Sequence, residues 1–523
     1  MGRTSMCRMK IRKHKLFLVC SVGLCVVSFL YCYKTLHQEF LLRELSRHKS
    51  SLKSLAILSG FLWGDPLTST LSNNNFPSNT NNHKGVEKAM RQKNYDEKEQ
   101  PVADFVMPDP TGPHGELHKR TFVLQDDHTP HFIHTETGAL CFREGTDIAS
   151  SKIKANYTKD NEGQKLKHKK NSTVLVDHTL KPDRKVAKCV CRQGWHGPNC
   201  GVPTVIQHSN LRTKSHLKLR KVPRRIINAI NINHEFDLLH VRFHELADAV
   251  DLFLVCESNF TAYGDSKSLT FLQLLLNGTL DYIKHKILYI FLDHFPKGGR
   301  ANGWIADDYL RTFLTKNGLS RIQGLRPDDV FVLNDADEIP VKEGILFLKL
   351  YDGWTEPFGI HMRKSLYGFY WRQLGTLDVI SGCSVAMLVS VYKRDGILLR
   401  RRDYFSMPGF RQYEKKSGHV LIPWSIGSPV HYAGWHCSWC FKPEGIYYKL
   451  VSAQNGDFPR WGDFVEKRKL SYIQELIRTG GWFDGSTPHY PPAKPNEHMF
   501  APKYLLDNSE RYDYLLKNPY AKG

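Results

Sequence analysis

The chain has 523 residues, 41% of them hydrophobic, so it can bury a large core and carry smaller segments beside it. Its formal net charge is +21, and basic residues crowd the first fifteen positions and the stretch from Lys152 to Arg225. No RNP, zinc-finger or helix-turn-helix pattern accompanies this charge. The composition therefore argues against nucleic-acid binding and leaves anionic small molecules or lipid headgroups as partners.

The N-terminus has the pattern of a signal anchor. A basic tail, residues 1–15, precedes an uncharged run at residues 16–33, which is just long enough to span a bilayer. A cleavable signal peptide is the alternative, but the run ends in aromatic residues without a small-residue cleavage site. The positive flank predicts a cytosolic N-terminus, so everything after Lys34 would be lumenal in a single-pass type II membrane protein.

Two features agree with a lumenal, oxidising compartment. Eight cysteines follow the anchor, which is an even number in a disulfide-permissive location. N-glycosylation sequons occur at Asn156, Asn171, Asn259 and Asn277. Residues 34–121 are polar and lack hydrophobic periodicity, which predicts a flexible stem.

A cysteine cluster is predicted over residues 122–201. Cys141 is followed by Cys189, Cys191 and Cys200, with Gly194, Trp195 and Gly197 between the last two. This spacing resembles the second half of an EGF-like module, and the resemblance implies the pairs Cys141–Cys189 and Cys191–Cys200. A zinc knuckle is the alternative, but a thiolate site does not suit an oxidising lumen.

The main domain is predicted to begin near Val222 and to alternate strands with helices. Strands are predicted at 226–232, 252–255, 287–292 and 330–333, and helices at 236–250 and 304–314. The second helix would place Ile305, Tyr309, Leu310 and Phe313 inward and Asp307, Asp308 and Arg311 on the other face. This alternation predicts an α/β fold with a mostly parallel sheet of nucleotide-binding type.

The last predicted strand ends in an acidic turn that contains Asp335, Asp337 and Glu338. Open α/β sheets bind ligands at the carboxyl ends of their strands, where polar residues from four strands would meet. The spacing of Asp335 and Asp337 lets two oxygen ligands converge on Mg²⁺ or Mn²⁺, which could hold a substrate diphosphate. An isolated motif of this kind is more often a solvated turn, and the strand context favours the metal site.

The segment after this turn is rich in aromatic residues. Trp371, Trp435 and Trp439 are candidates to stack on sugar rings, although burial in the core is the alternative for any one of them. Cys437 and Cys440 have a redox-like spacing without a thioredoxin-like unit, so we expect structural disulfides that also involve Cys256 and Cys383. His240 and His244 lack a third ligand and are expected on the surface of a helix.

Six segments carry a family resemblance that is more specific than any short motif. They are residues 224–231, 234–239, 257–264, 303–311, 335–340 and 434–441. They resemble the N-acetylglucosaminyltransferases that add the bisecting GlcNAc to N-glycans. The resemblance extends over the anchor and about residues 189–523, and the stem is dissimilar.

The resemblance implies an inverting transferase of GT-A type over residues 222–510, in the Golgi membrane. It would move GlcNAc from UDP-GlcNAc in β1,4 linkage onto the core β-mannose of N-glycans. Asp335 and Asp337 would present Mn²⁺ to the diphosphate, with His436 or His431 as a third ligand, and Glu257, Asp307 and Arg311 would contact nucleoside and phosphate. Position alone makes Glu444 the first candidate for the base that deprotonates the acceptor, with Asp457 and Asp463 as reserves.

Two alternatives stay open from the sequence. One is a non-catalytic membrane glycoprotein with a lectin-like domain, which would bind glycans without UDP or a divalent cation. The other keeps the fold and changes the transferred sugar or the linkage.

Overall fold

The computed structural model describes residues 119–135, 138–151, 189–299, 302–401, 403–452, 460–487 and 490–521. The predicted anchor, nearly all of the predicted stem, and the candidate residues Asn156, Asn171 and Asp457 lie outside the described residues. Among the helices of the described ranges, none is long and apolar enough to cross a membrane.

The centre of the fold is a nine-stranded mixed sheet. Its strands, labelled in chain order, are β1 Ile226–Asn231, β2 Leu252–Ser258, β3 Ile287–Leu292, β4 Val330–Leu333, β5 Glu338–Pro340, β6 Phe358–Leu366, β7 Gly368–Ser384, β8 Trp424–Ile426 and β9 Gly434–Ser438. Their order across the sheet is β5-β9-β6-β7-β4-β1-β2-β3, and β8 pairs with β6.

One half of the sheet matches the predicted parallel arrangement. Strands β4, β1, β2 and β3 are parallel neighbours, and every residue in them is buried. Continuous apolar runs of this kind form strands that are covered on both faces. Strand β2 continues beyond the predicted end through Cys256 and Glu257 to Ser258.

The other half mixes strand directions, so the prediction of a mostly parallel sheet holds only in part. Strand β7 is antiparallel to both β4 and β6, while β9 is parallel to β6 and antiparallel to β5. The antiparallel pairing of β5 and β9 places His436 opposite Glu338, next to the acidic turn.

The described ranges contain twelve α-helices, labelled here in chain order. They are α1 Thr204–Gln207, α2 Phe236–Leu246, α3 Thr270–Leu276, α4 Gly303–Ser320, α5 Lys342–Leu350, α6 Val385–Ser390, α7 Gly396–Arg401, α8 Phe410–Ser417, α9 Pro443–Ser452, α10 Leu470–Thr479, α11 Lys503–Asp507 and α12 Asp513–Leu516. The remaining short strands are Phe122–Val123, Phe132–His134, Leu140–Phe142, Trp195–His196, Val202–Pro203, Lys218–Leu219, Ile322–Gln323 and Tyr351–Asp352.

Helices cover both faces of the sheet. Alternate side chains of the parallel strands enter two separate cores, one shared with α2 and α5 and the other with α4. Helix α2 buries Leu239, Phe243 and Leu246, as its spacing predicts. Helix α4 differs from the prediction at Arg311, which is buried instead of lying on the face away from the core.

The disulfides confirm the two pairs implied for the N-terminal cluster and correct the prediction for the others. Cys141 bonds to Cys189 and Cys191 bonds to Cys200. Cys437 and Cys440 do form a disulfide, but they pair with each other. The expectation that Cys256 and Cys383 are partners is wrong, because both are free thiols buried on β2 and β7. The EGF-like character of the cluster stays a prediction.

Candidate active site

Polar residues gather where three of the four parallel strands end. Asn233 and Glu235 follow β1, Glu257 and Ser258 close β2, and Asp335 follows β4. Parallel strands bring their carboxyl ends to one edge of the sheet, so these groups and the acidic turn share one region.

The carboxylate of Asp335 is held by arginines from two helices. Arg311 on α4 donates from Nη2 to both oxygens of Asp335, at 2.9 and 2.8 Å, and from Nη1 to Asp307 at 2.5 Å. Arg400 on α7 lies 3.5 Å from the same carboxylate. Burial alone would raise the pKa of Asp335, but these guanidinium groups hold it well below its usual range.

Glu338 and Arg242 hold the backbone of the same turn. Arg400 forms two hydrogen bonds with the buried carboxylate of Glu338, at 2.9 and 2.8 Å. Arg242 reaches the turn from α2 and donates to the carbonyl oxygens of Asp335 and Glu338. Burial lowers the pKa of Arg242 to about 10. The turn is therefore anchored by basic side chains before any ligand binds.

Asp337 has a different environment from Asp335. Its Oδ2 lies 3.8 Å from Nε2 of His436 on β9 and 3.9 Å from Nζ of Lys449 on α9, distances too long for hydrogen bonds. Burial raises the pKa of the Asp337 carboxyl, and the two basic neighbours oppose that shift. Of the two motif carboxylates, Asp337 is the one that the protein leaves free to bind something else.

Helix α9 is held against the end of β1 by His234 and by Asn233, whose side chain donates to the hydroxyl of Ser452. Nε2 of His234 is 2.9 Å from the carbonyl oxygen of Gly445, and its ring stacks on Phe441. The buried carboxylate of Glu235 accepts the backbone N–H groups of Asn233 and His234. These contacts define the position of α9 against the sheet edge.

The carboxylate of Glu257 is occupied by hydrogen bonds from other residues of the protein. It is buried, and its carboxylate accepts the N–H groups of Phe271 and Leu272 in the first turn of α3 and the hydroxyl of Tyr289. An anionic group at this position compensates the unpaired N–H groups of a helix N-terminus. A contact between Glu257 and a nucleotide stays a prediction.

The tryptophans selected for sugar stacking are mostly core residues. Trp435 and Trp439 are buried, which is the alternative that the sequence left open. Trp435 donates its indole N–H to Met499, and the half-buried Trp371 donates to Ile477. Stacking of Trp435 or Trp439 on an acceptor sugar does not agree with this burial.

The described candidates for the base lie at the surface. Glu444 is exposed in the first turn of α9. Asp463 is also exposed, and it accepts the hydroxyl of Tyr263 at 2.6 Å. Neither has a described contact with Asp337, so the assignment of the base stays a prediction.

The metal site is only partly assembled from side chains. The described ranges contain no group of three or more His, Cys, Asp or Glu side chains arranged to hold a metal ion. Asp337 and His436 offer a carboxylate and an imidazole, whereas Asp335 is engaged by Arg311. His431 stacks on His208, with ring centroids 3.4 Å apart, and has no described contact with Asp337.

The two described sequons differ in accessibility. Asn277 is exposed, and its side-chain oxygen accepts the hydroxyl of Thr279, the third residue of the same sequon. Asn259 is half-buried, and its Oδ1 is buried without a hydrogen-bond partner among the described residues. Asn277 is the better placed of the two for modification.

Several basic residues of the site were not predicted from the sequence. Arg242, Arg400 and Lys449 lie on three different helices, and no short motif contains them. The one local signal was Glu338, which follows the acidic pair directly and could have indicated a basic partner. The arginine and lysine positions become apparent only when α2, α7 and α9 pack against the turn.

Comparison with known proteins identifies similar chains. A model of glycosyltransferase family 17 matches residues 204–376. Proteins named β-1,4-mannosyl-glycoprotein 4-β-N-acetylglucosaminyltransferase from Rattus norvegicus, Mus musculus and Homo sapiens are each 55% identical to this chain. The alignments cover 98% of this chain and 94% of each relative.

Proposed function

The chain belongs to glycosyltransferase family 17, and on this premise we propose that it transfers GlcNAc from UDP-GlcNAc to N-glycans. The product linkage would be β1,4 on the β-mannose of the glycan core. The observation that carries this proposal is the 55% identity to transferases with that name over 98% of the chain. The site at the carboxyl edge of the sheet supports it, because that is where this class of fold binds nucleotides.

The proposed reaction inverts the configuration of the transferred sugar. A base takes the proton of the acceptor hydroxyl while its oxygen attacks the anomeric carbon, and UDP leaves from the opposite side. We propose Glu444 as this base because it is exposed in the first turn of α9, the helix that reaches Asp337 through Lys449. Asp463 and Asp457 are the reserves.

We further propose Mn²⁺ as the cofactor, with Asp337 and His436 as the residues that would hold it. When bound, the ion would supply positive charge to the diphosphate oxygens of the donor. The role of Asp335 would then be to fix the turn through Arg311, so that the neighbouring carboxylate keeps its position. A Golgi location and a type II anchor at residues 16–33 are proposals from the sequence pattern.

A transfer assay tests the proposed function. The full-length protein is incubated with a biantennary N-glycan, MnCl₂ and one of several UDP-sugars, and the products are weighed by mass spectrometry. We expect a product heavier by one N-acetylhexosamine with UDP-GlcNAc, and none with EDTA. Glycan binding without transfer from any UDP-sugar would contradict the enzyme and leave the lectin-like alternative.

The variant Glu444→Gln tests the base in the same assay. Loss of the base should lower kcat by about 100-fold or more and change the KM for UDP-GlcNAc little. Asp463→Asn serves as the matched carboxylate variant. Full activity of Glu444→Gln would contradict the assignment of Glu444 as the base and would leave Asp463 and Asp457 as the candidates.

A further inference from the structure

Lys449 is a buried cation beside the acidic turn. The residue is 8% exposed, and its ammonium group lies 3.8 Å from Glu235 and 3.9 Å from Asp337. At these distances it makes no hydrogen bond to either carboxylate, and it donates none to any other described residue. An ammonium group carries three hydrogen-bond donors, and those of Lys449 have no acceptor among the described residues.

The neighbouring arginines Arg311 and Arg400 do form hydrogen bonds with carboxylates. Arg311 and Arg400 each donate to carboxylate oxygens at 2.9 Å or less. Glu235 does not depend on Lys449, because its carboxylate already accepts two backbone N–H groups. Lys449 therefore differs from the arginines that stabilise the turn, because its ammonium group forms no hydrogen bond with a described carboxylate.

The surrounding aromatic residues hold Lys449 in place. Its Nζ lies 5.4 Å from the ring centroid of Trp439 and 5.6 Å from that of Phe441. The disulfide between Cys437 and Cys440 closes the loop that carries Trp439. Rings at these distances stabilise a cation without using its hydrogen-bond donors, so those donors remain available to a ligand.

We propose that the ammonium group of Lys449 binds the diphosphate of the nucleotide-sugar donor. This inference rests on the proposed function and assigns a residue to the phosphate part of its substrate. The carboxylates of Asp337 and Glu235 would repel a diphosphate, and Lys449 supplies positive charge that no described carboxylate neutralises at hydrogen-bond distance.

The same contact assists the departure of UDP. In the transfer, the bond between the anomeric carbon and the β-phosphate oxygen breaks and its electron pair stays on that oxygen. The acceptor oxygen forms the new bond, and its proton goes to the base. UDP therefore gains negative charge as it leaves, and an ammonium group already in place stabilises that charge.

Binding of UDP and of uridine to the full-length protein tests the inference without catalysis. With MnCl₂ present, the wild-type protein should bind UDP more tightly than uridine in titration calorimetry. Lys449→Met should weaken UDP binding by about 10- to 100-fold and leave uridine binding within about twofold. Lys449→Arg should recover part of the preference, because it keeps the charge.

Lys442→Met is the matched control, since Lys442 is an exposed lysine just before α9, 5.3 Å from the ring of Tyr514. It should bind both ligands like the wild type, and thermal unfolding of every variant reports on folding. A folded Lys449→Met protein that keeps the full preference for UDP would overturn the inference and leave the proposed function intact. A wild-type protein that does not prefer UDP to uridine would overturn both.

Discussion

The two aspartates of the acidic turn have separate tasks at the level of single residues. Asp335 receives two hydrogen bonds from the buried guanidinium of Arg311, while Asp337 has basic neighbours only at 3.8 Å and beyond. A carboxylate that forms buried ion pairs contributes to stability, and removing it leaves an uncompensated charge. A carboxylate without such bonds remains available to a ligand, as we propose for Asp337.

This difference between the two aspartates predicts that two matched substitutions lower the free energy of unfolding by different amounts. Asp335→Asn should lower the free energy of unfolding by about 3 kcal/mol, because Arg311 loses one of its two anionic partners. Asp337→Asn should change it by less than about 1 kcal/mol and still abolish transfer. Urea unfolding and the transfer assay measure the two effects. Equal stability of the two variants would contradict the assignment.

The sequence could predict the position of the acidic pair, but not that the carboxylate of Asp335 is hydrogen-bonded to an arginine while that of Asp337 is not. Asp335 and Asp337 are adjacent to a recognisable strand, so their position at the sheet edge follows from local pattern. The partners of Asp335 come from Arg311 and Arg400, which are distant in the sequence and meet it only through helix packing. Long-range packing of this kind leaves no signal in a single sequence.

Helix α4 carries Arg311 to the site because it packs closely on strand β2. A Cβ at Gly318 would lie 2.2 Å from Cδ2 of Leu254, so any larger residue there requires the buried Leu254 side chain or the helix to shift. Gly344 on α5 is a useful comparison, because its nearest neighbour is 3.2 Å away and is a methyl group of Ile426.

Two glycine substitutions test this packing at the level of elements. Gly318→Ala should lower the free energy of unfolding by about 1–3 kcal/mol, because the added methyl group overpacks the contact between α4 and Leu254 on β2. Gly344→Ala should stay within about 1 kcal/mol of the wild type, since better helix propensity offsets a small steric cost. Urea unfolding measures both. A Gly318→Ala protein as stable as the wild type would show that the helix is not held at this distance.

The predictions for elements succeeded where local patterns decide them. Strands β1, β3 and β4 and the stripe of α2 follow from continuous apolar runs and helical spacing. The mixed half of the sheet could not be predicted from local patterns, because its strands β5 and β9 are separated by about a hundred residues in the sequence. Trp435 and Trp439 were candidates for sugar binding, and only the packing of that half showed them to be buried.

The C-terminal segment, which carries Tyr504 and Arg511, packs against α2 through an aromatic cluster. His244 stacks between Tyr282 and Tyr504, and His240 lies within 3.4 Å of Tyr504 and Arg511. Burial, with the positive charge of Arg511 and His244, lowers the pKa of His240 from its ordinary 6.5 to about 4, against the opposing charge of Asp237. The cluster therefore holds His240 neutral.

The depressed pKa of His240 predicts a pH dependence of stability. Unfolded His240 takes up a proton near pH 6.5, but the folded protein resists this until about pH 4, so the stabilisation is complete above pH 6.5 and is lost as pH falls to 4. Because the side chain is only partly buried and solvent screens its charge, we expect a loss of only about 1 kcal/mol.

Unfolding of the wild type and of His240→Gln, followed in urea from pH 7.5 to 4, measures this loss. The wild type should lose stability more steeply with falling pH, because glutamine does not titrate. Parallel curves for the two proteins would contradict the role of His240.

We propose that this family 17 transferase adds a β1,4-linked GlcNAc to the core mannose, with its donor held at the turn of Asp337. The most direct measurement is the NMR spectrum of the product from UDP-GlcNAc and a biantennary glycan, made by the wild type and by Asp337→Asn. We predict a new β-anomeric GlcNAc linked to C4 of the core β-mannose, and no product from the variant. An α-anomer, a different linkage, or equal product from both proteins would contradict this account.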